Sequence, residues 1–154
     1  MRFLWVLGLL ALVSAAPAVA CNIPANAANL AYRLMQEINA ERARHGLNEL
    51  GISRQLMQAA QHHACDGARN NRLSHFGTDG SSFGERIIRA GYHYRSATEN
   101  VALGFPDPAL VLQAWMRSPG HRKNILARGP DELGLGIAQG RDGRMHWVMK
   151  SGLR

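Results

Sequence analysis

The spacing of hydrophobic residues predicts two helices in the first half of the chain. Leucine and isoleucine recur every four residues over Leu30–Ile38, which is typical of one buried helix face. Ser53 is a suitable N-cap for a second helix over about residues 54–71. The apolar face of this second helix is rich in alanine and glycine, which predicts close packing. His63 lies on that face, so we expect it to be a hydrogen-bonded core histidine.

Shorter patterns in the second half predict three helices and three strands. Ser82 can cap a short helix after a loop rich in glycine and serine, and the stretch "ATENVALGF" is typical of a strand. Two helices follow, the second opened by Ser118 as N-cap and Pro119 as first helical residue. Apolar and polar residues then alternate on both sides of Asp142-Gly143, which predicts a hairpin. This order favours an α+β fold, with helices packed on a small antiparallel sheet.

The first 20 residues have the composition of a secretory signal peptide. Arg2 precedes the apolar run Phe3–Val13, and Ala18–Ala20 fits the small-x-small pattern that signal peptidase cleaves. A membrane anchor is the alternative, but the apolar run is short for spanning a bilayer. We therefore expect a single mature domain over residues 21–154, secreted or periplasmic and without a transmembrane segment of its own.

Export changes the interpretation of the two cysteines, Cys21 and Cys65. An oxidising compartment permits a disulfide, which would tie the N-terminal arm to the second helix. The alternative is a lipoprotein in which Cys21 is acylated after cleavage. The preceding "AVA" lacks the leucine usual at the start of that processing site, so we favour the disulfide.

The positive charge of the chain has two interpretations, affinity for anionic surfaces or the ordinary arginine-rich surface of an exported protein, and we favour the second. The formal net charge is +7, and it falls to +6 when Arg2 is removed with the leader. Lipid and lipopolysaccharide are surfaces that such a charge attracts. The arginines are scattered, with no basic block and no interleaved aromatic residues of the kind that bind single-stranded nucleic acid. We therefore expect no nucleic-acid partner, and we expect a monomer.

Common catalytic and cofactor motifs are absent from the sequence. It contains no G-x-S-x-G, H-E-x-x-H or C-x-x-C, and no glycine-rich phosphate loop. Alternation in the last strand places His146 opposite Trp147, facing the other side of the sheet or a cleft. Imidazoles and carboxylates are ligands that Zn²⁺ takes from proteins. Four such residues lie at the ends or edges of predicted elements, and they would form a metal site if the fold brings them together: His75, Glu99, His121 and His146.

Several segments, in their order along the chain, resemble the bacterial branch of the CAP superfamily, the SCP-like secreted domains: "SHFGTDGSSFGERIIRAGY", "TENVALG", "WMRSPGHRKNIL" and "HWVMKSG". Cysteine-rich secretory, antigen-5 and pathogenesis-related proteins are relatives of this branch. The resemblance covers about residues 30–152 and implies an α-β-α sandwich with a cleft where histidines and acidic residues converge. His75, Glu99 and His121 match the family motifs, and His146 resembles a strand histidine of the eukaryotic relatives.

Two further positions qualify the resemblance. Glu85, in "GERI", is a second-tier cleft residue, and its alternative is an ion pair or an acid at the start of a helix. Bacterial relatives usually end in "W-x-Q-x-F-G", whereas this chain has Met149 at the glutamine position and Ser151 at the phenylalanine position. A role of that glutamine in lining the cleft is therefore not carried over.

The resemblance implies a binding or signalling module more often than an enzyme. The leading hypothesis is a non-enzymatic domain whose cleft binds Zn²⁺ or another divalent cation, together with a lipid, a sterol or another ligand. One alternative is a metal-dependent hydrolase of peptides or cell wall, in which Glu99 is the base or a ligand. Another is a structural or interaction protein whose cleft histidines are only hydrogen-bonded. Because no nucleophile or acid–base pair is evident, we predict no catalytic residue.

Overall fold

The computed structural model describes residues 21–154, and the predicted signal peptide lies outside the described residues. The described part of the chain contains five helices and four strands. In chain order the elements are α1 (Ala27–Arg44), β1 (Gly51–Ile52), α2 (Arg54–Asn70), α3 (Phe83–Arg89), β2 (Ser96–Leu103), α4 (Pro108–Arg117), α5 (Pro119–Ile125), β3 (Glu132–Gln139) and β4 (Met145–Leu153).

The two long helices confirm the hydrophobic pattern from which they were predicted. α1 buries the face that carries Leu34 and Ile38. α2 begins where the Ser53 hydroxyl accepts the N–H of Leu56, and it ends at Asn71 in a left-handed conformation. A serine N-cap satisfies one of the four N–H groups that a helix start leaves without a partner.

The four strands form one mixed sheet in the order β1-β3-β4-β2. β3 and β4 are the predicted hairpin, and β2 pairs antiparallel with β4, as an antiparallel sheet requires. β1 was not predicted, and it runs parallel to β3. With two residues, β1 is too short to show any alternation in the sequence. It forms because Gly51 and Ser53 donate backbone N–H groups to Asp131 and Leu133.

Helices cover both faces of the sheet, which confirms the α-β-α sandwich. Trp147 and Met149 pack with Trp115 and the apolar residues of α1 and α4 on one face. Val101 and Val148 pack with alanines of α2 on the other. Side chains alternate along a strand, so the odd and even positions of β4 belong to different layers. This alternation decides which strand residues reach the candidate site.

Glycine allows α2 to approach β3 backbone to backbone. A Cβ atom on Gly134 would lie 2.1 Å from the backbone nitrogen of Met57, and one on Gly136 would lie 2.3 Å from the carbonyl carbon of Ala60. Neither neighbour can rotate away, because both belong to the main chain of a helix. The small residues predicted on the face of α2 therefore pack against a strand that has glycine at both facing positions.

We expect Gly136→Ala to destabilise the protein by about 3 kcal/mol, near the upper end of the usual cost of overpacking. Chemical denaturation would measure the loss. Gly120→Ala is the matched control, because nothing lies within 4 Å of a Cβ atom built there. If both variants unfold at the denaturant concentration of the wild type, the close contact between α2 and β3 is incorrect.

The predicted disulfide joins Cys21 to Cys65, with the two Cα atoms 5.3 Å apart. It attaches the segment before α1 to the middle of α2. Asn22 adds a second attachment, since its carbonyl accepts the N–H of Gln139 at the end of β3. A sulfur atom in a disulfide cannot also carry an acyl chain. This bond therefore supports the disulfide over the lipoprotein interpretation of Cys21.

Candidate functional site

Glu99 lies at the centre of a buried group of ion pairs. It belongs to β2, is 4% exposed, and faces the α2 layer. Oε1 accepts a hydrogen bond of 2.9 Å from Nδ1 of His75, and Oε2 accepts one of 3.0 Å from Nη2 of Arg86. Nζ of Lys150, which is 0% exposed, also donates to Oε2. Both carboxylate oxygens are therefore occupied by the protein itself.

The charges in this group keep one another ionised. Burial raises the pKa of Glu99, but the hydrogen bond from His75 and the charge of Lys150 lower it by more. The result is a pKa of about 2, below the ordinary value. Burial lowers the pKa of Lys150 to about 8, against the attraction of Glu99. Lys150 and Arg86 together carry two positive charges against the single negative charge of Glu99. The group is thus one positive charge in excess at neutral pH.

His75 extends from this buried group towards solvent, with 51% of its side chain exposed. Its carbonyl accepts a second hydrogen bond from Nη2 of Arg86, at 2.8 Å, so both its backbone and its ring are held. Because Nδ1 donates to Glu99, the neutral ring carries its lone pair on Nε2. A histidine that binds a metal ion through one ring nitrogen usually donates its other ring N–H to a carboxylate, a backbone carbonyl or water. The hydrogen bond from His75 to Glu99 is an arrangement of this kind.

His121 is held on the other side of β2 by two asparagines. Nδ2 of Asn100 donates to the carbonyl of His121, and Nδ2 of Asn124 donates to the carbonyl of Glu99 and to Oδ1 of Asn100. Burial, and then the nearby charge of His75, lower the pKa of His121. β2 is an edge strand of the sheet, and His75 and His121 are held from its two faces by the side chains of Glu99 and Asn100. We call this region the edge cleft.

The start of α5 is partly as predicted. Pro119 is its first residue, and Ser118 occupies the N-cap position, but the Ser118 hydroxyl makes no capping hydrogen bond. The ring of His121 lies 6.4 Å from that of Trp115, centroid to centroid. Trp115 is buried under the sheet and donates its indole N–H to the carbonyl of Val101. The position of His121 thus depends on packing as well as on the asparagines.

His146 does not join the edge cleft, which corrects the expectation that four ligands converge. It pairs with Leu103 at one end of the β2–β4 ladder, whereas Lys150 pairs with Glu99 four residues away. Four residues of strand span about 13 Å. His146 is buried against Gly67 of α2. Among residues 21–154, no three histidine, cysteine, aspartate or glutamate side chains are grouped so as to hold a metal ion.

Glu85 also lies outside the edge cleft. Its carboxylate accepts the backbone N–H of Ser82, and its own N–H donates to the Ser82 hydroxyl, which completes a capping box at the start of α3. The side chain is exposed. This geometry agrees with the alternative prediction for Glu85, that it is an acidic residue at the start of a helix.

The structure adds four residues to the site that the sequence analysis missed: Arg86, Asn100, Asn124 and Lys150. Lys150 has the clearest sequence signal. Apart from His146, the other residues of its strand are small or apolar, and a lysine is almost never fully buried without a partner. Pairing β4 against β2 would have placed it opposite Glu99. The asparagines carry no such signal, because an amide is equally common in exposed loops.

Comparisons with known proteins agree with this architecture. The model of the cysteine-rich secretory protein family, CAP, matches residues 35–151. An extracellular SCP-domain protein from Bacillus anthracis superposes with a TM-score of 0.75 at 28% identity, over 82% of this chain and 41% of the other. An outer surface protein from Borrelia burgdorferi has the same TM-score at 25% identity, over 80% of this chain and 91% of the other.

One curated relative is the uncharacterized Bacillus subtilis protein YkwD, which is 34% identical over 117 residues. The match covers 75% of this chain and 45% of that protein. The chain thus spans less than half the length of this relative. Across residues 21–154, no helix combines the length and the hydropathy needed to cross a membrane.

Proposed function

This chain belongs to the CAP family of cysteine-rich secretory proteins, and we propose that it is an exported, non-enzymatic binding module whose edge cleft binds Zn²⁺ through His75 and His121. The single observation that carries the proposal is the hydrogen bond of 2.9 Å between Nδ1 of His75 and Glu99. It orients the ring and leaves Nε2 as the nitrogen with the lone pair. The disulfide and the extracellular relative from Bacillus anthracis support export.

The residues fit a metal ion only in part. His75 and His121 supply imidazoles, the commonest metal ligands among side chains at neutral pH. Glu99 would orient the ring of His75 and would not bind the ion itself, since three donors already occupy its oxygens. Two imidazoles leave the other positions of a tetrahedral ion to water or to a bound ligand. We therefore expect weaker binding than at a structural site with four protein ligands.

The same geometry favours a binding module over a hydrolase. A base that activates water must have a free oxygen within hydrogen-bond reach of it. Both oxygens of Glu99 already accept hydrogen bonds within the protein, and its pKa of about 2 makes it a weak base at neutral pH. An ion held by two imidazoles would attract donor groups of a ligand. The lipid- or sterol-like ligand that the family resemblance implies is part of this proposal, and the positive charge of the chain favours an anionic headgroup.

Calorimetric titration with Zn²⁺ tests the proposal. We expect His75→Ala and His121→Ala each to raise the Kd for Zn²⁺ at least tenfold, because each removes one of two protein ligands. His93→Ala is the matched control, since His93 is an exposed histidine away from the edge cleft. Equal affinity in the wild type and both cleft variants would reject the metal site and leave hydrogen-bonded, structural histidines. Zinc-dependent hydrolysis of casein or peptidoglycan that is lost in His75→Ala would favour the hydrolase instead.

A further inference from the structure

A separate cavity of about 320 Å³ opens between α2 and the segment that leads into and through α3. Two of its lining side chains, His63 and Arg86, are 5% and 8% exposed. Each has a buried polar atom without a hydrogen-bond partner in residues 21–154, namely Nδ1 of His63 and Nε of Arg86. Buried polar atoms are rarely left unpaired, so a molecule bound in this cavity can supply partners to both residues. His63 also borders a second space, which at about 10 Å³ is too small for a ligand.

The two unpaired atoms have complementary chemistry. Nε2 of His63 lies 2.7 Å from the carbonyl of Ser74 and must donate to it, which leaves Nδ1 of the neutral ring as an acceptor. Burial lowers the pKa of His63, which favours that neutral ring. Nε of Arg86 is a donor. A hydroxyl group can donate a hydrogen bond to Nδ1 of His63 and can accept one from Nε of Arg86. Hydroxyl groups of a ligand can therefore pair with both atoms.

The rim of the cavity has acidic groups that are already satisfied. Asp66 accepts from the backbone N–H and the hydroxyl of Thr78. Asp79 accepts from Ser81 and from Arg89. Every carboxylate oxygen at the rim therefore already has a hydrogen-bond partner within the protein.

Two basic side chains at the rim are not committed in this way. Arg69 and His62 both line the cavity, and neither makes a side-chain hydrogen bond or ion pair within the described part of the chain. Arg86 is paired with Glu99 and Arg89 with Asp79, which leaves Arg69 as the arginine of this cavity without an ion-pair partner among residues 21–154. The groups left for a ligand at the rim are thus mainly cationic donors, which suit the oxygens of an anion.

We propose that this cavity binds a small hydroxyl-bearing anion, a phosphate ester or a hydroxy acid. Its anionic group contacts Arg69 at the rim, and its hydroxyl pairs with His63 and Arg86 at the buried end. The volume is near the lower limit of ligand pockets, about 300 Å³, which suits a molecule of a few carbons. Neither His75 nor His121 lines this cavity, and Arg86 is the residue that it shares with the buried group around Glu99.

Titration followed by NMR tests this assignment with four probes. Glycerol 3-phosphate and glycerate carry both groups, glycerol carries hydroxyls only, and inorganic phosphate carries charge only. We expect the two complete probes to bind at least tenfold more tightly than either partial probe, and to shift the ¹⁵N resonance of His63 Nδ1. Tighter binding of glycerol 3-phosphate would assign the anion as a phosphate, and tighter binding of glycerate would assign it as a carboxylate. If no probe shifts that resonance, the cavity is a solvent site and the proposal is wrong.

Variants separate the rim from the buried end. Arg69→Gln should weaken the complete probes at least fivefold, whereas Arg141→Gln, at an exposed turn, should not. His63→Phe keeps the ring shape and should abolish the preference over inorganic phosphate; if it does not fold, Arg69→Gln still decides. Binding that is unchanged in Arg69→Gln would overturn the proposal. Binding only to phosphatidylglycerol vesicles would overturn it in favour of a membrane headgroup. His75→Ala should leave probe binding intact, so failure of the zinc site and failure of this site are distinguishable.

Discussion

Replacing Glu99 with glutamine is expected to lower the free energy of unfolding by about 3–5 kcal/mol, the usual cost of breaking a buried ion pair on one side. Lys150 and Arg86 would remain buried beside each other, 0% and 8% exposed, with no negative charge between them. The substitution preserves the volume of the side chain and one carbonyl oxygen. The loss would therefore report the charge, and urea denaturation at pH 7 would measure it.

The pH dependence of stability provides a second measurement of the same group. The pKa of Glu99 is about 2 in the folded protein, below its ordinary value of 4.5. Its contribution is therefore present above about pH 4.5, and it is lost as the pH falls towards 2, where the unfolded chain binds the extra proton. In the wild type we expect a steep decline of stability over this range. The decline should be shallower in Glu99→Gln.

A double variant distinguishes charge from packing. Lys150→Met removes one of the two cations and leaves Glu99 paired with Arg86, so we expect it to be mild. In Glu99→Gln/Lys150→Met the remaining buried cation no longer faces a second one, so this variant should be more stable than Glu99→Gln alone. If the two losses simply add, Glu99 and Lys150 are not coupled, and the buried group of ion pairs is incorrect.

The sequence was sufficient for those parts of the fold that depend on local pattern. Leu34 and Ile38 mark the buried face of α1, Ser53 marks the start of α2, and the turn at Asp142-Gly143 marks the hairpin. Each is a property of neighbouring residues. β1 depends instead on hydrogen bonds to Asp131 and Leu133, some 80 residues later in the chain. No local pattern contains that information.

The candidate site was predictable to a smaller extent, because it depends on strand register. Alternation alone placed His146 correctly on the face opposite Trp147, but it could not tell which end of that face lies beside Glu99. The register of β4 against β2 assigns that neighbour to Lys150. One shift along a strand moves a side chain by about 3.3 Å, so a site of hydrogen-bonded ion pairs requires the register to be known.

The edge cleft joins residues that only the packed sandwich brings together. His75 follows α2, Arg86 belongs to α3 and Glu99 to β2, and the helix with His121 is fixed by Asn124 on the opposite side of β2. The family resemblance supplied His75, Glu99 and His121 because motifs preserve such arrangements without describing them. It did not supply Lys150, which lies within the segment where this chain departs from the usual family ending.

Removal of the Cys21–Cys65 disulfide is expected to lower the free energy of unfolding by about 4 kcal/mol. The bond closes a loop with a sequence separation of 44 residues, and loop-closure entropy in the unfolded chain gives this value. α1 and β1 both lie within the loop. Cys21→Ala/Cys65→Ala is the appropriate variant, since Cys65 packs among alanines and valines and alanine keeps that contact apolar.

Denaturation of the oxidised wild type, the reduced wild type and the double alanine variant would separate the covalent bond from the packing of the two sulfurs. We expect the reduced protein and the variant to unfold at similar, lower denaturant concentrations, because the entropy of the open chain is common to both. If reduction leaves the midpoint unchanged, Asn22 and the contacts of α1 already fix the N-terminal segment. The disulfide would then contribute little to stability, and its protection of this segment from proteolysis would be the property to measure.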